Sequence, residues 1–417
     1  MVLGRWGRLT AVVVAAVVVC AASAAAADLS VRSQGTRIVT FRSDVPAAER
    51  ARIVEAAGGK VLRELPFIDG AVISFGASLK SGIGLAALAQ VESVEANEYR
   101  KWIESAVPAV MDFPAVKGVL GAARSAAAEA GPLAGEPVRT KEGSAPQPRS
   151  EVPWGVARVK AAYAWSRTTG KGVKVAVIDT GVDSSHPDLA ANYAGGYNAI
   201  DPESSPMDGH GHGTHVAGSI AAVYNEAGVV GVAPGARIYG VKVLDEDGGG
   251  SYETIIAGIA WAAQNRMQVV NMSLGGPSSA ALEKAVKRAA AAGVVIVAAA
   301  GNDPEAPVSA PASYREVIAV SASTSQDGLA SFSTIGPEIA FIAPGHEIIS
   351  TWPGSKYAKL SGTSMSSPHV AGLAALVTGL GARGVNQVRE ALSRAAAPLD
   401  GLTQDQQGYG MIEADRF

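Results

Sequence analysis

The stretch VKVAVIDTGVDSSHPDL, residues 173–189, places an acid at the end of a mostly apolar, β-branched run. Val173–Ile178 is short and rich in valine and isoleucine, the pattern of a strand buried on both faces. Asp179 follows directly, and Thr180–Gly181 interrupts the run. In open α/β sheets, working groups gather at the carboxyl ends of strands, so the position of Asp179 points to function. Taken alone, an acid there could equally cap a loop or a helix.

Working outward, the same pattern recurs at Ile238–Val243, Val269–Met272, Val294–Ala299 and Val317–Val320. Helix-like segments separate these runs, notably Tyr252–Asn265 and Ser279–Ala292. Such alternation predicts an α/β domain with a mostly parallel sheet and helices on both faces. It occupies residues 151–417, and no internal repeat is visible in it.

Residues 28–102 read as a separate, smaller α+β domain. Strand-like runs at Arg37–Phe41, Lys60–Leu65, Ala71–Phe75 and Val91–Asn97 alternate with helical spacing at Pro46–Ala57 and Gly82–Gln90. The order βαββαβ predicts a ferredoxin-like fold. Residues 103–150 are rich in Ala, Pro, Gly and Ser, without sustained periodicity beyond a helix candidate at Val119–Ala130, and read as a linker.

The first 27 residues have the layout of a secretory signal: Arg5 and Arg8, an apolar run from Leu9 to Ala22, then small residues to Ala27. Their alanine-rich end and the lack of a basic stop-transfer flank argue against a retained anchor. Cys20, the single cysteine, lies inside this segment, so cysteine usage is silent about redox compartment. Of the 417 residues, 48% are hydrophobic and 18% charged, which suits a large packed core. The net charge of −3 divides into +3 for residues 1–150 and −6 for 151–417. That imbalance is too mild for nucleic-acid binding, but it lets the two parts attract each other.

Two further strings carry chemistry. GHGTHVAG surrounds His212 at the start of a probable helix, and SGTSMSSPHVAG surrounds Ser364 at the start of an apolar one. An acid that orients an imidazole, which deprotonates a hydroxyl, makes a weak nucleophile effective at neutral pH. A zinc reading of His210, His212 and His215 needs an acid beside the last histidine, where Thr214 stands, and ligands downstream, where only His346 and His369 remain. Ser364 could also cap its helix, a duty open to Ser361, Thr363, Ser366 and Ser367 as well.

These strings resemble the subtilisin-like serine proteases, the subtilase family, whose acid–histidine–serine order they share. The resemblance covers residues 152–414 closely. Residues 37–99 resemble, less closely, the inhibitory propeptide of that family, VESVEANEY matching its closing strand. It implies a secreted, self-maturing serine endopeptidase with Asp179, His212 and Ser364 as triad and Asn302, in AAAGND, as oxyanion donor. Two glycine-rich edges, Gly248–Gly250 and Ser273–Gly276, would receive an extended polypeptide substrate, with Gly249, Gly250, Tyr252, Ser273, Leu274 and Gly275 as binding residues. Tyr252 and Ile255 would wall an upstream pocket, and Val308–Pro311 would bound the primary one. The resemblance also implies a structural calcium held by Asp188 and Asn225 and by carbonyls of Val223, Ala227 and Val229. A further glutamine ligand of the family has no counterpart, since Ser150 stands there. The expected partners are polypeptide substrates and the chain's own propeptide, acting as chaperone and inhibitor, with no nucleic acid, no stable membrane association and a monomeric enzyme. A first self-cut is expected near Glu104, followed by trimming to about Arg149–Glu151.

Overall fold

The computed structural model describes residues 35–75, 84–103, 109–111, 152–225 and 227–417. The expected signal segment, the helix candidate Val119–Ala130 and Ser150 lie outside them.

The small domain contains β1 (Thr36–Phe41), α1 (Ala47–Ala56), β2 (Gly59–Leu65), β3 (Gly70–Phe75) and β4 (Val91–Ala96). Its sheet runs β2-β3-β1-β4, and the described pairings, β1 with β3 and β4 and β2 with β3, are antiparallel. This is the strand order of a ferredoxin-like fold. Of the helix expected over Gly82–Gln90, residues 84–86 are helical and the chain turns over 87–90. Val39, Phe41, Val54, Ile73 and Leu85, each fully buried, give this domain a core of its own.

Two short strands follow, β5 (Tyr99–Lys101) and β6 (Ala109–Met111), both attached to the large domain. Within the large domain come β7 (Lys174–Asp179), β8 (Tyr193–Asn198), α2 (His212–Ala221), β9 (Arg237–Lys242), β10 (Gly249–Ser251), α3 (Tyr252–Gln264), β11 (Val269–Met272), α4 (Ala280–Ala291), β12 (Val295–Ala299) and β13 (Val317–Ser323). Then come β14 (Ile339–Pro344), β15 (Ile348–Trp352), β16 (Lys356–Leu360), α5 (Thr363–Gly379), α6 (Gly384–Ala395), β17 (Ala396–Ala397) and β18 (Met411–Ile412). Nine strands form one sheet in the order β17-β18-β14-β13-β12-β11-β7-β9-β8. Every pairing in it is parallel except β17 with β18.

Strand alternation divides the core between the two faces. Val175 and Val177 pack with α2, α5 and α6 through Ile220, Leu373 and Leu392. Ala176 and Ile178 pack with α3 and α4 through Ile255, Ile259, Leu282 and Val286. Each fully buried aliphatic side chain contributes about 1.5–3 kcal/mol, so both helical layers are firmly held. Asp179, the last residue of β7, emerges at the carboxyl edge of this sheet, level with the first residues of α2 and α5.

Candidate active site

Asp179 is fully buried and takes Thr180 N–H on Oδ1 at 2.7 Å. His212 Nδ1 lies 2.8 Å from Asp179 Oδ1 and 3.0 Å from Oδ2. With the carboxylate as acceptor, Nδ1 carries the proton and Nε2 is left as the basic nitrogen. Burial disfavours the imidazolium, but the charge and hydrogen bond of Asp179 outweigh it, so the His212 pKa is raised above its usual 6.5. Such close approach of α2 to β7 requires Gly213, because a Cβ there would overlap the Gly181 carbonyl oxygen and press on Asp179 Cβ at 3.1 Å.

Asp208, which the sequence reading passed over, organises this corner. Its Oδ1 accepts Thr180 Oγ1–H (2.8 Å) and the N–H groups of His210 (2.9 Å) and Gly211 (2.8 Å). Its Oδ2 accepts Thr214 N–H (2.9 Å) and Thr214 Oγ1–H (2.6 Å). One carboxylate thereby satisfies amides at the start of α2 that have no helical partner, and it ties them to the residue beside Asp179. The available signal was an acid shortly before a helix start.

Ser364 stands in the first turn of α5, half-buried, with Oγ donating to the Ser273 carbonyl at 3.3 Å. No His212–Ser364 hydrogen bond occurs among those of the described residues, so the structure joins acid to imidazole and turns the hydroxyl toward Ser273. The Ser364 carbonyl accepts Ser273 Oγ–H at 2.8 Å, and Ser273 Oγ also receives Asn271 Nδ2–H at 2.8 Å. These bonds lock the start of α5 to the end of β11.

Asn302 is fixed by Thr363. Its Oδ1 receives Thr363 N–H at 2.9 Å and Thr363 Oγ1–H at 3.0 Å. A backbone N–H can only donate, so the amide orientation is determined and Nδ2 is the end left for the cleft. Ser364 N–H, in the first turn of α5, has no intrahelical acceptor either. Two donors therefore stand beside one hydroxyl.

The expected substrate edges are occupied by the chain itself. β5 pairs antiparallel with β10, Lys101 opposite Gly249 and Arg100 opposite Gly250. Trp102 N–H donates to the Gly248 carbonyl, and Gly275 N–H donates to the Trp102 carbonyl, each at 3.0 Å. The Trp102 ring meets Tyr252 edge-on at 5.0 Å, contacts the position a Gly276 Cβ would take, and donates Nε1–H to the Gly250 carbonyl at 2.9 Å. Gly276 and Ala310 exchange backbone hydrogen bonds of 2.9 Å, which sets Val308–Pro311 beside the Ser273–Gly276 edge. Ile255 and Leu274 are buried in the same apolar cluster as Tyr252, Trp102 and Ile103. On the far side of Ser364, β6 pairs with β16, the strand that leads directly into Ser361–Ser364.

His215 Nε2 donates to the carbonyl of Ile348 or Ala358, both 3.1 Å away, and burial, with the nearby His212, pushes its pKa down to about 3. His369 is buried and pushed down to about 4. Among the described residues no group of three or more His, Cys, Asp or Glu is placed to hold a metal.

Of the residues expected around calcium, Asp188, Asn225 and Val229 are joined by hydrogen bonds. Asp188 is fully buried; its Oδ1 receives Asn225 Nδ2–H (3.0 Å), and its Oδ2 receives Val229 N–H and Tyr357 Oη–H (2.9 Å each). Gly228, at φ +64°, has no Cβ to crowd Asp188 Oδ2. Protein donors use three of the roughly four acceptor positions of the carboxylate. Asn225 meets Asp188 through Nδ2 and turns Oδ1 to Ala227 N–H at 3.0 Å, so as placed the two side chains form a hydrogen-bonded pair, and their oxygens are of the kind a hard cation takes.

The subtilase family model matches residues 170–410, more than half of the chain. Subtilisin BL and subtilisin Savinase, both from Lederbergia lenta, are 49% identical over 267 residues, which is 63% of this chain and 97% of each relative. The alkaline protease of Alkalihalobacillus alcalophilus is 49% identical over the same length, 69% of its own. On this likeness and on the sheet that carries the site, the chain belongs to the subtilase family and is a serine endopeptidase.

Proposed function

We propose that Asp179, His212 and Ser364 are the catalytic triad and Asn302 the oxyanion donor of a secreted, self-processing endopeptidase. The observation that carries this reading is the chain's own path, with β5 on the β10 edge and β6 on β16, on either side of Ser364. The peptide bond to be cut then falls between Ile103 and Ala109, which includes Glu104.

The chemistry follows from the donors and acceptors. Ser364 Oγ turns from the Ser273 carbonyl to His212 Nε2 and attacks the substrate carbonyl carbon, while its proton passes to Nε2. The carbonyl oxygen becomes an oxyanion that accepts from Asn302 Nδ2 and Ser364 N–H. His212 gives its proton to the leaving nitrogen, the C–N bond breaks, and an acyl-enzyme remains on Ser364. Water, deprotonated by His212, releases the acid and restores the hydroxyl. Asp179 holds the imidazole tautomer and stabilises the imidazolium throughout.

Residues 28–102 act in this reading as inhibitor and folding partner, and 103–150 are then removed up to about Arg149–Glu151 as an accessible connection. The segment from Arg5 to Ala27 directs export. Asp188 and Asn225, with carbonyls of Val223, Ala227 and Val229, hold one structural calcium that joins the 223–229 loop to the core.

Substitution Ser364→Ala tests the central claim. The full chain should remain uncut, lose fluorophosphonate labelling and lose peptide hydrolysis by about 10⁶-fold, the cost known for the serine of subtilisin itself. Normal maturation of that variant, expressed alone, would refute the assignment.

A further inference from the structure

Asp245 has a role that the triad and the two backbone edges leave unexplained. With β5 in place the residue is 1% exposed, and it stands at the start of the turn that leads into β10. Oδ1 is committed to that turn, accepting Asp247 N–H at 3.0 Å and Gly249 N–H at 2.9 Å. Oδ2 faces the incoming strand and accepts the Tyr99 hydroxyl at 2.6 Å. Gly249 makes room for this contact, because a Cβ there would overlap the Tyr99 hydroxyl. One carboxylate oxygen thus shapes the loop and the other reads the peptide.

We infer that Asp245 and Gly249 form an outer substrate subsite that selects a tyrosine three residues before the residue seated in the Trp102 pocket. The inference rests on the protease reading above. A buried carboxylate aimed at the peptide favours a neutral or cationic donor and penalises an acid or a group that cannot donate. Asp247 on the same loop adds negative potential, while Glu246 is paired with Lys242 at 3.6 Å. The gap over Gly249 takes the tip of a phenol, the Tyr99 hydroxyl, Cζ and Cε2 all lying over the glycine, and the hydroxyl alone reaches Asp245. Burial and the three acids also raise the Tyr99 pKa, which keeps its hydroxyl a donor at any working pH.

Two measurements decide it. With the mature enzyme and peptides that differ only at this position, tyrosine should exceed phenylalanine in kcat/KM by about ten-fold, with glutamate lower again. Asp245→Asn, which keeps an oxygen for the two loop amides, should shrink the tyrosine-to-phenylalanine ratio to within about three-fold. In the full chain carrying Ser364→Ala, Tyr99→Phe should speed amide hydrogen exchange across the β5–β10 pairing by a similar factor. Equal kcat/KM for tyrosine and phenylalanine peptides, or exchange unmoved by Tyr99→Phe, overturns the subsite. Cleavage of no peptide at all would instead defeat the protease reading, and the exchange measurement would still decide the contact.

Discussion

At the level of single residues, His212 is subject to opposing forces. Burial favours the neutral ring, and Asp179 favours the charged one and wins. Catalysis needs Nε2 free, so kcat/KM should rise as His212 loses its proton, with the acid limb centred above pH 6.5. A pH–rate profile whose acid limb lies clearly below 6.5 would contradict this balance. For stability the signs differ among the histidines. His212, with its raised pKa, contributes stability that is complete below pH 6.5 and lost as pH rises through its folded value. His215 and His369 titrate at about 3 and about 4 when folded, so the unfolded chain binds more protons between pH 6.5 and those values. Stability should therefore fall on acidification across that window, each buried histidine contributing up to about 1.4 kcal/mol per pH unit. Denaturant unfolding at several pH values from 7 to 4.5 measures it, and a flat profile would be inconsistent with two neutral buried rings. Asn302 gives a separate test. Asn302→Leu should lower kcat by about 10²–10³-fold, the loss known from an oxyanion donor of subtilisin, and leave KM within a few-fold.

Among elements, α2 shows how a helix terminus can hold a site together. Asp208 binds the amides of His210, Gly211 and Thr214 and also the Thr180 hydroxyl, so it connects the helix that carries His212 to the strand that carries Asp179. Removing it leaves several buried donors unpaired. Asp208→Ala should cost at least about 2 kcal/mol of stability and lower kcat by loosening the Asp179–His212 geometry. Thermal unfolding that matches the parent would show that other groups satisfy those amides. Asp208 was hard to see in the sequence because it precedes the helix by four residues, beyond the usual cap position. The strands that were legible, β7, β9, β11, β12 and β13, lie in the middle of the sheet, where burial on both faces demands continuous valine and isoleucine. β8, with its glycines, and the two-residue β17 and β18 lie toward the edges and carry no such signature. β5 and β6 fall where the sequence reads as domain end and linker. Their residues have no periodicity of their own, and their extended form comes from pairing with β10 and β16. Asn225 and Val229 are both tied to one buried acid, Asp188. A calcium bound only to the folded loop adds about 2.7 kcal/mol at a hundred-fold excess over its Kd. Chelation should lower the unfolding temperature and Asp188→Asn should abolish the response; an unfolding midpoint indifferent to chelator and added calcium would refute the site.

Across the whole molecule, the small domain docks on two helix starts of the large one. Glu95 accepts Ser279 Oγ–H (2.9 Å) and the N–H groups of Ala280 (2.8 Å) and Ala281 (2.9 Å) at the start of α4. Near the start of α3, Asn97 accepts Glu253 N–H at 3.1 Å, while Arg63 pairs with Glu253 at 2.9 Å. Further along the same face of α4, Asp69 pairs with Arg288, and Lys284 pairs with Glu92 at 2.5 Å. These contacts give the +3 and −6 halves a specific meeting surface, beyond the general attraction that the charges suggested. The Glu95 contact is the strongest of them, because a carboxylate at a helix N-terminus gains from both the free amides and the dipole. The exposed pairs are screened by salt and contribute less. A purified fragment spanning residues 28–104 has its own core around Phe41 and Ile73, so it should inhibit the mature enzyme in trans. In that fragment Glu95→Ala should raise the inhibition constant by about 10–100-fold, since it strips one side of a charged, hydrogen-bonded contact. Loss of inhibition through misfolding is separable by circular dichroism of the fragment alone. Higher salt should weaken the parent fragment only a few-fold, because Glu95 meets two backbone amides and a hydroxyl at short range rather than a second charge. If the well-folded Glu95→Ala fragment inhibits as tightly as its parent, the docking energy resides in β5 and Trp102 within the cleft and not in the helix-start contact.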